Sequence, residues 1–195
     1  MWTIRAEEEE DALLVEALVA KSFGPGRHAK SAYRLREGVR AVDGLGFVAI
    51  EDGLLKGSVR FWPIYVGGDG VLLLGPLAVE SAQRGRGIGL ALMNRGIEEA
   101  RTRAYRAILL VGDAPYYGRA GFAPLKDRQV QFPGPVDGAR ILGLALGEGG
   151  LDGLAGEVRR ARIDGSVCAD SAPLGPQATA VLPRTGGDRA EPCAI

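Results

Sequence analysis

The apolar positions change period several times along the chain, and each change marks a predicted element. Residues 3–5 can open with a short strand. From Glu8 the spacing becomes helical. Leu14, Val15, Leu18, Val19 and Ser22-Phe23 share one stripe, with Glu9, Glu16 and Ala20 opposite. Gly24-Pro25-Gly26 stops that helix, and a second one is expected over 29–37, ended by Gly38. Arg27, Lys30 and Arg34 give this second segment a basic face. Residues 47–51 and 54–65 then read as an antiparallel hairpin around Asp52-Gly53. After the turn Gly67-Gly68-Asp69-Gly70, residues 71–79 form a strand apolar on both faces, as a strand in the centre of a sheet must be. Gly75-Pro76 interrupts it. Proline cannot donate to a central ladder, so the sheet is expected to splay or bulge there.

A strong helix follows over 87–103, with Ile88, Gly89, Leu92, Met93, Gly96, Ile97 and Ala100 on its apolar stripe. Residues 107–111 read as a buried strand and 114–120 as a short helix or turn. Gly121-Phe122 begins another strand, and 139–146 is expected to be the last. From about Gly156 the apolar rhythm fades, so a folded unit over 1–155 and a disordered or loosely packed tail over 156–195 are expected. The order β-α-α-β-β-β-α-β-α-β-β predicts a mixed α/β fold with a mostly antiparallel central sheet. It lacks the strict alternation of a doubly wound nucleotide fold.

Composition narrows the function. A chain of 195 residues, 46% hydrophobic, suits one domain with a proper core. Basic and acidic residues balance at 24 each, so no net field favours nucleic acid or an anionic membrane. The longest uncharged apolar stretch, 71–79, falls far short of the roughly 20 residues that cross a bilayer. The acidic run Glu7-Glu8-Glu9-Glu10-Asp11 follows the first residues directly, so no secretory signal is expected. Cys168 and Cys193 are the only cysteines and there is one histidine, so neither a disulfide framework nor a metal site is expected. A cytoplasmic protein is the expectation.

The chemistry concentrates in Arg84-Gly85-Arg86-Gly87-Ile88-Gly89, a glycine-dense turn between a strand and a helix start. Without Cβ atoms the backbone can curl around a ligand and point successive N–H groups into one concavity. The first amides of the following helix are unsatisfied and its dipole adds positive potential, which together favour phosphates. Arg84 and Arg86 can add charge-assisted bonds. The spacing is not that of a P-loop, and Leu90 stands where a dinucleotide-binding turn has its third glycine. A glycine-rich turn without any ligand is the plain alternative.

Arg84-x-x-Gly87-x-Gly89 resembles the Arg/Gln-x-x-Gly-x-Gly/Ala signature of the GNAT superfamily of N-acetyltransferases. The surrounding element order is similar to that fold, and Tyr117-Gly118-Arg119-Ala120-Gly121-Phe122 looks like the family's Tyr-x-x-x-Gly-Phe segment. The resemblance spans about Ile4 to Leu146. It is strongest to bacterial predicted N-acetyltransferases with Gly-Pro-Leu-Ala-Val before the loop and Val-Gly-Asp-x-x-Tyr-Tyr after it.

The resemblance implies acetyl-CoA as co-substrate and no metal. Its pyrophosphate would sit on the amides of Arg84, Gly85, Arg86, Gly87, Ile88 and Gly89, with Leu90 beginning the helix. Its pantetheine would pair like a strand with Leu77, Ala78 and Val79. Tyr117 would act as general acid toward the departing thiolate, with Tyr116 expected in the core. A backbone N–H near Val79 would stabilise the oxyanion of direct transfer to an amine. The fourth strand carries no carboxylate, so His28, Glu51 and Asp113 stay open as base candidates, with Glu51 also readable as simply solvated. Phe61, Trp62 and Tyr65 are expected to shape the acceptor groove. Arg27, Lys30, Arg34, Arg36 and Arg40 could attract a carboxylate or phosphate on the acceptor, or form an ordinary solvated basic face. The acceptor would be a small-molecule amine or a peptide, and the protein a monomer or homodimer. A non-catalytic acyl-CoA sensor, a protein acetyltransferase and transfer of a longer acyl chain are the competing readings.

Overall fold

Asp52 and Gly53 both take positive φ, 53° and 72°, the left-handed pair that a two-residue hairpin turn requires. They join strand β2 (Gly46–Glu51) to β3 (Leu54–Val66), with Glu51 directly opposite Leu54. The computed structural model describes residues 1–26, 31–125 and 129–161. Among these, β1 (Thr3–Ala6), β4 (Asp69–Val79), β5 (Ala107–Val111), β6 (Ala123–Pro124) and β8 (Ile141–Ala145) extend the hairpin into a sheet ordered β1-β2-β3-β4-β5-β8-β6. Every neighbouring pair in that order is antiparallel except β4 and β5, which run parallel. The expected mixed, mostly antiparallel α/β fold is therefore present.

β4 is buried on both faces as its sequence requires. Leu72 and Leu74 pack on one side with Phe47, Phe61, Leu92 and Met93, while Val71 and Leu73 pack on the other with Trp62, Ile64 and Leu109. Helix α3 (Ile88–Thr102) covers the first side, and all seven residues of its predicted stripe are buried. Gly96 lets it approach closely, since a Cβ there would run into the Phe61 ring. Helix α1 (Ala12–Phe23) lies on the opposite side, where Val15, Leu18 and Val19 meet Val48 and Ala78. Its apolar stripe is narrower than the spacing suggests: Leu14 is 57% exposed and Phe23 37%. A 3-10 turn, Glu9–Asp11, precedes α1. The Asp11 carboxylate fixes that entry by accepting the Glu8 amide at 2.9 Å and both Nη groups of Arg5 at 2.6 and 2.9 Å. Helix α2 is short, Ser31–Arg34, and continues as a turn; the expected start at Ala29 lies outside the described residues. Among the described residues no helix is long and apolar enough to cross a membrane.

The folded unit does not end at residue 155, and 139–146 does not contain the last strand. β9 (Gly156–Arg160) pairs antiparallel with the far end of β3, Ile64 with Arg160 and Val66 with Val158, and parallel with β7 (Val130–Gln131). Val158 is 2% exposed. The strand was illegible because Gly-Glu-Val-Arg-Arg has one apolar residue and no period to read. What orders it is the long β3, whose first half is covered by β2 and whose second half offers a free edge. The expectation for 162–195 falls outside the described residues.

Candidate functional site

The site begins with the interruption in β4. Val59 pairs with Leu77 and Phe61 with Leu74, so Gly75 and Pro76 together oppose the single residue Arg60. This is a β-bulge where the proline predicted one. β4 pairs with β5 only at Leu72 with Ile108 and Leu73 with Leu109. Beyond that point β4 stays bound to β3 as far as Val79, and β5 stays bound to β8 as far as Val111. The two central strands therefore part into a wedge, and the edge of residues 77–79 that faces β5 has no strand partner among the described residues.

The glycine loop closes the end of this wedge. After the 3-10 turn Ser81–Gln83, Gly85 and Gly87 take φ of 81° and 82°. A Cβ on either would meet nothing within 4 Å, so backbone conformation and not crowding requires glycine, and the space over the loop is open. Within α3 the first amide to find its helical acceptor is that of Ala91, on the Gly87 carbonyl at 3.0 Å. The amides of Ile88, Gly89 and Leu90 thus begin the helix without one, beside the positive end of its dipole.

The two loop arginines differ in state. Arg86 donates from Nη1 and Nη2 to the two carboxylate oxygens of Glu51, at 2.6 and 2.8 Å, and from Nη1 to the Gln83 side chain. Glu51 is only 8% exposed, and the Arg86 guanidinium, aided by the chain's terminal amine, holds its carboxyl down at about 2. Glu51 is therefore not solvated; it braces the loop from the end of β2. Arg84 is exposed and has no partner among the described residues.

Across the wedge, the backbone carbonyl of Asp113 accepts the Tyr116 and Tyr117 amides at 3.0 and 3.2 Å and starts α4 (Ala114–Tyr117). The Tyr117 ring rests against Gly112, where any Cβ would collide with it, and stands edge-on to Phe122 at 6.2 Å. Burial above all, then Tyr116 and Asp113, push its hydroxyl up to about 12. Tyr116 is not a core residue. It is 38% exposed, stands edge-on to Tyr117 at 5.1 Å, and sets its hydroxyl against Gly89 at the start of α3. The Asp113 carboxylate pairs with Arg140 at 3.2 Å, does not cap α4, and is 76% exposed.

A cavity of about 730 Å³ borders the bulge. Pro76 forms part of its wall, together with Tyr33, Arg36 and Trp62. Arg60 is gripped there by Glu7, with Nε donating at 2.8 and 3.0 Å, and by Glu16 at 2.6 Å. Arg36 stacks over Trp62 and Tyr33, 5.2 and 5.4 Å from their ring centres. Trp62 thus stands at the cavity, whereas Glu51 and Asp113 stand elsewhere; His28 lies outside the described residues. The Arg60–Glu7–Glu16 cluster had no sequence signal, because its members are 53 and 44 residues apart.

The wedge, the glycine loop at a helix start and the bulged central strand define an acyltransferase of the N-acetyltransferase class. Residues 12–122 match the Acetyltransferase (GNAT) family. The chain is 34% identical to YhbS of Escherichia coli K12, named an uncharacterized N-acetyltransferase, over 80% of this chain and 93% of that protein. The crystal structure of E. coli YhbS in complex with CoA superimposes with a TM-score of 0.71 at 30% identity, covering 82% and 89% of the two chains. A GNAT acetyltransferase of Brucella melitensis in complex with acetyl-CoA gives 0.61 at 27% identity, covering 83% and 96%. The chain belongs to the GNAT N-acetyltransferase family.

Proposed function

We propose that the protein moves the acetyl group of acetyl-CoA directly to a primary amine. The observation that carries this reading is the wedge. Residues 77–79 keep one edge in the sheet and present the other, unpaired, to a slot that ends on the glycine loop. An extended pantetheine arm can complete that edge as a strand would. Its pyrophosphate then meets the amides of residues 84–89, where Gly85 and Gly87 leave open space. Solved relatives that carry CoA or acetyl-CoA support the same ligand.

In this reading the neutral amine attacks the thioester carbonyl, and a backbone N–H near Val79 stabilises the developing oxyanion. The carbon–sulfur bond breaks, Tyr117 donates its proton to the leaving thiolate, and the proton lost by the attacking nitrogen passes to solvent, from which Tyr117 is reprotonated. A hydroxyl held at about 12 remains protonated at neutral pH and can act as that acid. Tyr117 ends α4, which starts three residues after the end of β5, and its ring rests against Gly112, the residue that follows β5. The pairing of Glu51 with Arg86 speaks against Glu51 as the base. Calorimetric titration with acetyl-CoA, using Gly87→Glu as control, tests the reading: binding to the parent and loss in the variant are expected, and no binding to the parent overturns it.

A further inference from the structure

The cavity behind Pro76 contains two arginines in opposite circumstances. Arg60 has its guanidinium filled by Glu7 and Glu16. Arg36 uses only Nε, which donates to the Ala32 carbonyl at 3.1 Å. Its two Nη groups have no acceptor among the described residues, although the side chain is half-buried in the cavity wall. Stacking against Trp62 and Tyr33 fixes the plane of the guanidinium while leaving its outer edge to donate. A desolvated, oriented and unpaired guanidinium is a fork for a planar anion. Burial lowers its pKa to about 10, so it stays a cation at neutral pH.

We infer that Arg36 binds the carboxylate of the acetyl acceptor, so that the substrate is a small primary amine bearing one carboxylate. This rests on the transferase reading. The cavity contains both Arg36 and Pro76, the latter at the bulge where β4 leaves β5, so one molecule can hold its acid end on Arg36 and its amine end toward the wedge. A volume of about 730 Å³ suits a molecule of metabolite size. The other charges in the wall favour a carboxylate over a phosphate. Glu7 and Glu16 place two negative charges around the one positive charge of Arg60, and among the remaining charges of the wall Glu8, Glu9, Glu37 and Asp43 outnumber Arg40. A dianion would be repelled there, whereas a single carboxylate on Arg36 and an ammonium drawn in by the glutamates are both accommodated.

The test follows CoA thiol release from acetyl-CoA with paired acceptors: α- and ω-amino acids of two to six carbons, each beside its carboxamide, with pentane-1,5-diamine as the cationic comparison. The acids are expected to exceed their amides in kcat/KM by roughly tenfold or more, the scale of a charge-assisted pair. Arg36→Gln should bring that ratio close to one, with Arg36→Lys between. Acetyl-CoA affinity by calorimetry should stay unchanged in both variants, which also shows that they fold. Amides or the diamine turned over as well as the acids, or a preference surviving Arg36→Gln, would overturn the inference and leave the transferase reading standing. Bound acetyl-CoA with no release to any of these amines also overturns it. Failure of the parent protein to bind acetyl-CoA removes the transferase reading itself.

Discussion

Glu51, the last residue of β2, holds Arg86 in the glycine loop through two parallel bonds of 2.6 and 2.8 Å, across 35 residues of sequence. The pair anchors an otherwise exposed loop to the sheet and draws one of its two arginines inward. Arg84 is left as the loop's unpaired cation among the described residues.

Glu51→Gln should therefore loosen the loop without touching the reacting atoms. KM for acetyl-CoA is expected to rise roughly threefold to tenfold, since the Arg86 side of the pair is solvent-screened, while kcat changes little. A Glu51→Gln, Arg86→Gln double variant should be clearly less impaired than the sum of the single ones; strictly additive effects in steady-state kinetics would deny the coupling. The pH dependence has a definite sign. Folding lowers the Glu51 pKa from 4.5 to about 2, so its contribution is complete above about 4.5 and disappears as pH falls through about 2. Acetyl-CoA affinity should show no titration from Glu51 between pH 5 and 8.

Gly87→Glu should abolish acetyl-CoA binding while far-UV circular dichroism stays unchanged. At φ of 82° any side chain strains the backbone, by about 1 kcal/mol, and glutamate adds a negative charge at the anion site. Gly87→Ala, which keeps the charge constant, should weaken binding less.

Tyr117→Phe should lower kcat by about 10²-fold and leave acetyl-CoA affinity intact, as expected for loss of a general acid. Folding raises the hydroxyl from 10 to about 12, so the stabilisation is complete below pH 10 and lost as pH rises through 12. A fall in kcat of the parent enzyme below pH 10 on the alkaline side would then belong to another group. Full activity in the variant would remove Tyr117 from the chemistry.

Gly96→Ala should destabilise the protein even though alanine is the better helix former by about 1 kcal/mol. The new methyl would overlap the fully buried Phe61 ring, and overpacking of this kind costs about 1–3 kcal/mol. Chemical denaturation should show a lower midpoint; a higher one would mean that α3 can move away from β3 freely.

A chain ended after Ala155 should melt at a lower temperature than one ended after Ala161. The shorter chain loses β9 and the buried Val158, and it uncovers the far half of β3. Equal melting temperatures would show that β9 adds nothing to the fold.

The sequence by itself determined what depends on a few consecutive residues. The stripe of α3, the two-faced burial of β4, the Asp52-Gly53 turn and the bulge at Gly75-Pro76 all follow from local period or backbone freedom. The same holds for the glycine loop, whose positive φ values are a property of Gly85 and Gly87 themselves. Tertiary structure alone decided which side chains meet. Glu51 went to Arg86, Arg60 to Glu7 and Glu16, and Tyr116 out of the core onto Gly89, because strand register and helix placement set those distances. β7 and β9 exist for the same reason: short and nearly without apolar period, β9 is ordered by the edge that β3 offers and β7 by the edge of β9. An ion pair or an edge strand draws its free energy from a partner far away in the chain, and no local pattern records where that partner will stand.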